Sequence, residues 1–196
     1  SIGTRINMRD LKTLSRRDFF GASTALLGLS LLPGALWAEE LFMKTPRQTE
    51  GPFYPDKLPL DTDNDLLIVQ DRIDQAVGQV THISGQVLDI RGTPIKNALV
   101  EIWQCNAFGR YVHTADAGRG KADPNFQGYG RFETGRKGEY YFRTIKPVSY
   151  GWRAPHIHFA VTAREYKHLT TQMYVAGTSE NRWDTILNSI PDPRAR

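Results

Sequence analysis

Along most of the chain, hydrophobic positions come in short runs that alternate with polar ones and are broken by Gly, Pro and Asn. The run His82-Ile83-Ser84-Gly85-Gln86-Val87-Leu88-Asp89-Ile90 leads into the turn-forming Arg91-Gly92-Thr93-Pro94. This pattern predicts strands over 82–90, 98–104, 140–145, 156–163 and 170–175, all rich in β-branched and aromatic residues. No middle stretch keeps a 3.6-residue apolar period, and only residues 181–190 read as a short helix. Residues 114–130, polar and carrying five glycines or prolines, read as a surface loop. The expected fold is all-β: an antiparallel β-sandwich with long active-site loops and a short C-terminal helical segment.

Composition narrows this picture. A chain of 196 residues with 40% hydrophobic and 23% charged residues supports one domain with its own core, plus an appendage. The single cysteine, Cys105, excludes an internal disulfide and any Cys-rich zinc site. The net charge of +4 hints at nucleic acid. However, residues 1–38 hold Arg5, Arg9, Lys12, Arg16 and Arg17 against only Asp10 and Asp18. The remaining body is close to neutral, so no nucleic-acid partner is expected.

Residues 1–38 read as an export signal. Ser15-Arg16-Arg17-Asp18-Phe19-Phe20 precedes a mild apolar run ending at Ala38, broken by Pro33-Gly34 and too short to span a bilayer comfortably. The arginine pair resembles the twin-arginine signal of bacteria, and an ordinary secretory leader is the alternative. Either way the expected domains are 1–38 as signal and 39–196 as sandwich. The expected location is periplasmic, with no membrane span after cleavage at Ala38. Met8 is a candidate initiator, which would make residues 1–7 an upstream extension.

Candidate chemistry concentrates in two places. In Pro155-His156-Ile157-His158-Phe159, strand alternation puts both imidazoles on one face, about 7 Å apart, and sends Ile157 and Phe159 to the other. Such a pair serves as metal ligands or as a solvated polar face. His113 is the nearest further histidine. The second place is a set of tyrosines at glycine-containing turns, Tyr111 after Gly109-Arg110 and Tyr150 before Gly151. Each taken alone reads first as a packed sandwich tyrosine and only second as a ligand. A phenol with its pKa of about 10 binds as phenolate only beside a strong Lewis acid. Two tyrosinates with two histidines would suit ferric iron better than zinc or copper.

Four segments carry a family resemblance: Glu101-Ile102-Trp103-Gln104-Cys105-Asn106-Ala107-Phe108-Gly109-Arg110-Tyr111, Asp123-Pro124-Asn125-Phe126-Gln127-Gly128, Phe142-Arg143-Thr144-Ile145-Lys146-Pro147 and Arg153-Ala154-Pro155-His156-Ile157-His158-Phe159. With Gly51-Pro52-Phe53-Tyr54-Pro55 upstream, the stretch 45–190 resembles the intradiol ring-cleavage dioxygenases, most of all the protocatechuate 3,4-dioxygenase β-type subunits. The resemblance implies one Fe(3+) per chain, held by Tyr111, Tyr150, His156 and His158, with Tyr150 as the exchangeable ligand. It implies a catecholic, protocatechuate-like substrate, O2 as co-substrate and a muconate-type product. Arg153 matches the family arginine that stabilises carbanion character on the ring, and Gln172 a polar residue beside it.

The sequence departs from the family in three ways. Only Gly151 and Trp152 separate Tyr150 from Arg153, which implies a more open pocket. The stretch before residue 45 carries no helical dimerisation segment of the catechol 1,2-dioxygenase kind. Relatives usually continue beyond Arg196, and an uncovered edge there predicts an oligomeric or poorly soluble product. A noncatalytic β-sandwich binding module and a metal-free degraded paralogue are the competing readings.

Overall fold

The structure, a computed structural model of the chain, describes residues 44–59, 61–70, 72–117 and 120–196, and the backbone alone of residues 2–9. Among the described residues, seven strands form two antiparallel sheets: β1 (Ile2–Arg9), β2 (Val80–Asp89), β3 (Leu99–Trp103), β4 (Tyr129–Glu133), β5 (Glu139–Ile145), β6 (His156–Thr162) and β7 (Leu169–Tyr174). One sheet has the order β1-β2-β5 and the other β4-β3-β6-β7. The five strands expected from the pattern all form, with shifts of one or two residues at their ends.

Period-two burial shows why these segments are strands. On β2, Thr81, Ile83, Val87 and Asp89 are buried, while Ser84 and Gln86 are exposed. On β5, Tyr140, Phe142 and Thr144 turn inward. The inner face of the second sheet supplies Val100, Ile102, Ile157, Phe159 and Val161, which join Ile83, Val87, Tyr140 and Phe142 in one core. The Tyr140 and Phe159 rings meet across the layers at 6.2 Å. A two-layer sandwich results.

β6 is buried on both faces except at Thr162. One face belongs to the core. The other carries His156 and His158, as alternation predicted, and is covered by loops instead of water. Register aligns the covered face: Trp103 pairs with His158, His158 with Gln172, and His156 with Tyr174. Cross-strand partners on one face are close neighbours, so this ladder assembles the site.

Three details differ from the sequence reading. Tyr129–Glu133 forms a strand, so the irregular loop ends before residue 129, and it contains a 3-10 turn at Thr114–Asp116. The C-terminal helix is shorter than 181–190: a 3-10 turn at Ser179–Arg182, then one α-helical turn, α1 (Thr185–Asn188). The backbone of Ile2–Arg9, inside the expected signal, pairs with β2 from Asp89 to His82. Arg16, Arg17 and the apolar run lie outside the described residues. Among the described residues no helix is long and apolar enough to cross a membrane.

Candidate functional site

After β3 the chain must turn back to place Tyr111 over the sheet. The Asn106 side chain arranges this, accepting from the backbone N–H of Phe108 at 2.9 Å and of Arg110 at 3.1 Å. The N–H of Tyr111 then donates to Asp116 Oδ2 at 2.7 Å. The phenol enters the covered face of the four-stranded sheet and ends 3.3 Å from His156 Nε2 and 3.2 Å from His158 Nε2.

The histidine tautomers follow from their partners. His156 Nδ1 lies 2.6 Å from the carbonyl of Ala154, which can only accept, so the proton sits on Nδ1 and Nε2 keeps its lone pair. His158 stacks on Trp103 with ring centroids 5.0 Å apart and planes 8° from parallel. Its Nδ1 and the Trp103 Nε1 are buried with no hydrogen-bond partner among the described residues. Burial, with a smaller contribution from Arg153, lowers the pKa of His156 to about 4. Burial, His156 and Arg153 hold that of His158 well below its ordinary value. Both imidazoles are therefore neutral, the form that binds a metal. Burial pushes the Tyr111 phenol well above 10, and only a strong local positive charge would ionise it.

A lid closes this cluster. Tyr54 and Tyr129 both donate to Glu101 Oε1, at 2.8 and 2.6 Å, which pins the 51–54 segment over the sheet. Phe53 stacks on Tyr111 at 5.0 Å. Gly51, at φ +74°, lies against the edge of the His158 ring.

Tyr150 sits beside this cluster but its hydroxyl is directed elsewhere. Its ring meets Tyr111 edge-on at 5.1 Å and Phe53 at 5.4 Å, while its hydroxyl donates to Asp116 Oδ1 at 2.8 Å. The segment is a tight turn, closed by the Arg153 N–H on the Tyr150 carbonyl at 3.0 Å with Gly151 at φ 58°. This turn leaves Trp152 exposed.

Arg153 follows at once. It is buried, with Nε on Asp184 at 2.9 Å and Nη2 on Gln172 Oε1 at 2.7 Å and on the Tyr174 hydroxyl at 3.0 Å. Gln172 in turn donates to the carbonyl of Thr49 at 2.9 Å.

The structure thus brings Tyr111, His156 and His158 together through one shared phenol oxygen, with Arg153 just before β6 bonded to Gln172 on β7. His113 does not join them. Its Nδ1 caps the 3-10 turn by accepting from Ala115 N–H at 3.0 Å, and its Nε2 stands 3.9 Å from Asp56. Sequence reasoning missed Asp116, Asp184 and Tyr174. Among the described residues no group of three or more His, Cys, Asp or Glu is assembled for a metal, so a cation here would need the tyrosines. Donor atoms 3.2–3.3 Å apart are spaced as neighbours around one ion with bonds of about 2.0–2.1 Å, so the residues fit a metal. A cavity of about 500 Å³ is lined by Tyr111 together with His113, Asp56 and Phe126, and neither His156 nor His158 lines it.

Comparison with known proteins identifies the family. A family model described as "Dioxygenase" matches residues 49–194. The protocatechuate 3,4-dioxygenase beta chain of Burkholderia cepacia is 40% identical over 138 residues, covering 66% of this chain and 59% of that protein. Catechol 1,2-dioxygenase 2 of Acinetobacter lwoffii is 33% identical, covering 76% and 57%. The chain thus spans less than two thirds of the length of these curated relatives. Among solved structures, the dioxygenase domain of a carbohydrate-binding fusion from Streptomyces sp. SirexAA-E is 29% identical, with a TM-score of 0.59 over 76% of this chain and 83% of that one. Catechol 1,2-dioxygenase of Pseudomonas arvilla C-1 is also 29% identical, with a TM-score of 0.55 over 71% and 48%. By sandwich, site and these likenesses together, the chain belongs to the intradiol ring-cleavage dioxygenase family.

Proposed function

We propose that this chain is a ferric intradiol dioxygenase acting on a protocatechuate-like catechol. One observation carries the reading: the Tyr111 phenol meets the Nε2 atoms of two neutral, buried histidines at 3.2–3.3 Å. Tyr111, His156 and His158 would hold the ion, one per chain, and Tyr150 would join them once its hydroxyl leaves Asp116. Ferric iron would supply Lewis acidity, drawing charge out of a catecholate so that the ring carbon reacts with O2. Both oxygen atoms enter the product, a muconate-type diacid, so no external reductant is needed.

The chain's own groups divide the remaining work. Held by the ion as phenolate, Tyr150 would take up one catechol proton on release, and the phenol so formed would donate to Asp116, which accepts from that hydroxyl at 2.8 Å in the structure. Arg153 places a fixed positive charge where the ring becomes carbanionic. The lid formed by Gly51 and Phe53 keeps bulk water from the histidine edge.

The test is oxygen uptake with catechol, protocatechuate and hydroxyquinol, followed by ultraviolet identification of the product. The expected result is a red-brown protein that turns catechol into a colourless muconate, with protocatechuate turned over fastest. A colourless protein that takes up no iron would favour a paralogue without catalysis. A yellow semialdehyde would mean cleavage outside the diol, and a requirement for added ferrous iron would mean the wrong metal state. Any of these three results overturns the proposal.

A further inference from the structure

The C-terminal segment reaches back into the site through one side chain. Asp184 is fully buried, and its carboxylate accepts four hydrogen bonds. Oδ1 accepts from the backbone N–H groups of Ile186 at 2.9 Å and Leu187 at 3.0 Å, capping α1. Oδ2 accepts from Arg153 Nε and from the backbone N–H of Ala154, both at 2.9 Å. A simple helix cap needs only the first pair. The second pair fixes the strand entry that carries both the proposed ring-stabilising arginine and, through the Ala154 carbonyl, the His156 Nδ1 proton.

We propose that Asp184 is a positioning residue, which aims the Arg153 guanidinium at the substrate ring and so supports turnover. The inference rests on the proposed dioxygenase function. Arg153 is a long side chain with several rotamers, and a charge placed an ångström away from the developing carbanion loses much of its effect. Three acceptors remove this freedom. Asp184 takes Nε, while Gln172 and Tyr174 take Nη2 from the next strand. Gln172 and Tyr174 occupy consecutive outward positions of β7, but Asp184 comes from a separate element and is the only anion of the three. It takes Nε while β7 takes Nη2, and it balances the guanidinium charge, which no neutral acceptor does.

The experiment compares the full-length iron-loaded protein with Asp184→Asn, Asp184→Ser, Arg153→Ala and the Arg153→Ala/Asp184→Asn pair. Serine still caps α1 but cannot reach Arg153, so it separates positioning from folding. The expected result is a fall in kcat of about 10- to 100-fold in both Asp184 variants, the range typical of residues that orient a reacting group. Iron per chain and catechol affinity measured without oxygen should stay within about threefold. Added to Arg153→Ala, Asp184→Asn should cost almost nothing further, since residues acting as one unit are not additive. Multiplicative losses, or losses that only track missing iron, would overturn the proposal. If the wild type cleaves no catechol, the dioxygenase reading fails separately. Solvent exchange of the Arg153 Nε–H by NMR of the full chain then decides for Asp184. Slow exchange in the wild type and fast exchange in Asp184→Ser supports an arginine held by Asp184, and fast exchange in both refutes it.

Discussion

The hydroxyl of Tyr150 donates to Asp116 at 2.8 Å, and the other oxygen of that buried carboxylate accepts the Tyr111 N–H at 2.7 Å. One acid therefore ties together the two tyrosines proposed to bind the metal. Tyr150→Phe should lower stability by only about 1 kcal/mol, the usual net worth of such a bond. It should also bind iron more weakly, change the visible band and slow catechol binding, because one built-in base is gone. Asp116→Ala should cost more, about 1–3 kcal/mol, since it leaves the buried Tyr111 amide without its acceptor. Melting curves with metal analysis separate the two. Equal destabilisation, or an unchanged spectrum in Tyr150→Phe, would contradict this division.

The lid makes a second prediction. A β-carbon on Gly51 would stand 3.2 Å from His158 Cε1, at a backbone φ of +74° that L-residues seldom adopt. Gly51→Ala should cost about 1–2 kcal/mol in backbone strain alone. Relief of the contact would push the His158 ring off Trp103, so iron retention should fall with stability. Measuring iron per chain after dialysis against a chelator tests this, and full retention would show that the lid gives way instead of the histidine.

Much of this architecture was legible in the sequence where one physical rule dominates. Alternation alone put His156 and His158 on one face and Ile157 and Phe159 in the core, because β6 has to fill the inter-sheet layer. The strand Tyr129–Glu133 was missed because Gly130 and Arg131 break its apolar pattern, and its pairing with β3 decides the conformation. Tyr111 and Tyr150 became candidates only together with the histidines, since a lone tyrosine carries no signal. Asp116 and Asp184 were invisible for another reason: their partners lie across the fold. For Asp184 a faint local sign existed, an aspartate directly before Thr185-Ile186-Leu187-Asn188, but it announces a helix cap and not the hold on Arg153.

Away from the site, the turn after β2 gives a pH dependence. The Thr93 N–H, and with less effect that of Arg91 and its guanidinium, hold the Asp89 carboxyl below its ordinary value against the opposing effect of burial. A depressed folded pKa adds stability that is fully present above the unfolded value near 4 and is lost as pH falls through the folded one. The wild type should therefore melt above Asp89→Asn at neutral pH, and the difference should shrink as the solution is acidified below pH of about 4. A constant gap from neutral to acid would show that the loop geometry, and not the charge, is what matters.

The last prediction concerns the leader. We propose that residues 1–38 direct export through the twin-arginine route, on the strength of Arg16-Arg17 followed by a weak apolar run. That route carries folded proteins, so the metal would be installed before transport, away from competing copper and zinc. The main hydrophobic cluster runs from Leu66 to Met173, so removal of the leader leaves those residues in the chain. It would, however, remove the backbone of Ile2–Arg9 from the edge of β2. A chain starting at Glu39 should then keep a cooperative melt with a somewhat lower midpoint, because ladder hydrogen bonds contribute only modestly next to apolar burial. Replacing Arg16 and Arg17 together with Lys should trap the precursor in the cytoplasm, read by fractionation and immunoblot. Normal periplasmic accumulation of that variant would refute the route, and loss of cooperative melting in the shortened chain would make Ile2–Arg9 part of the fold instead of the leader.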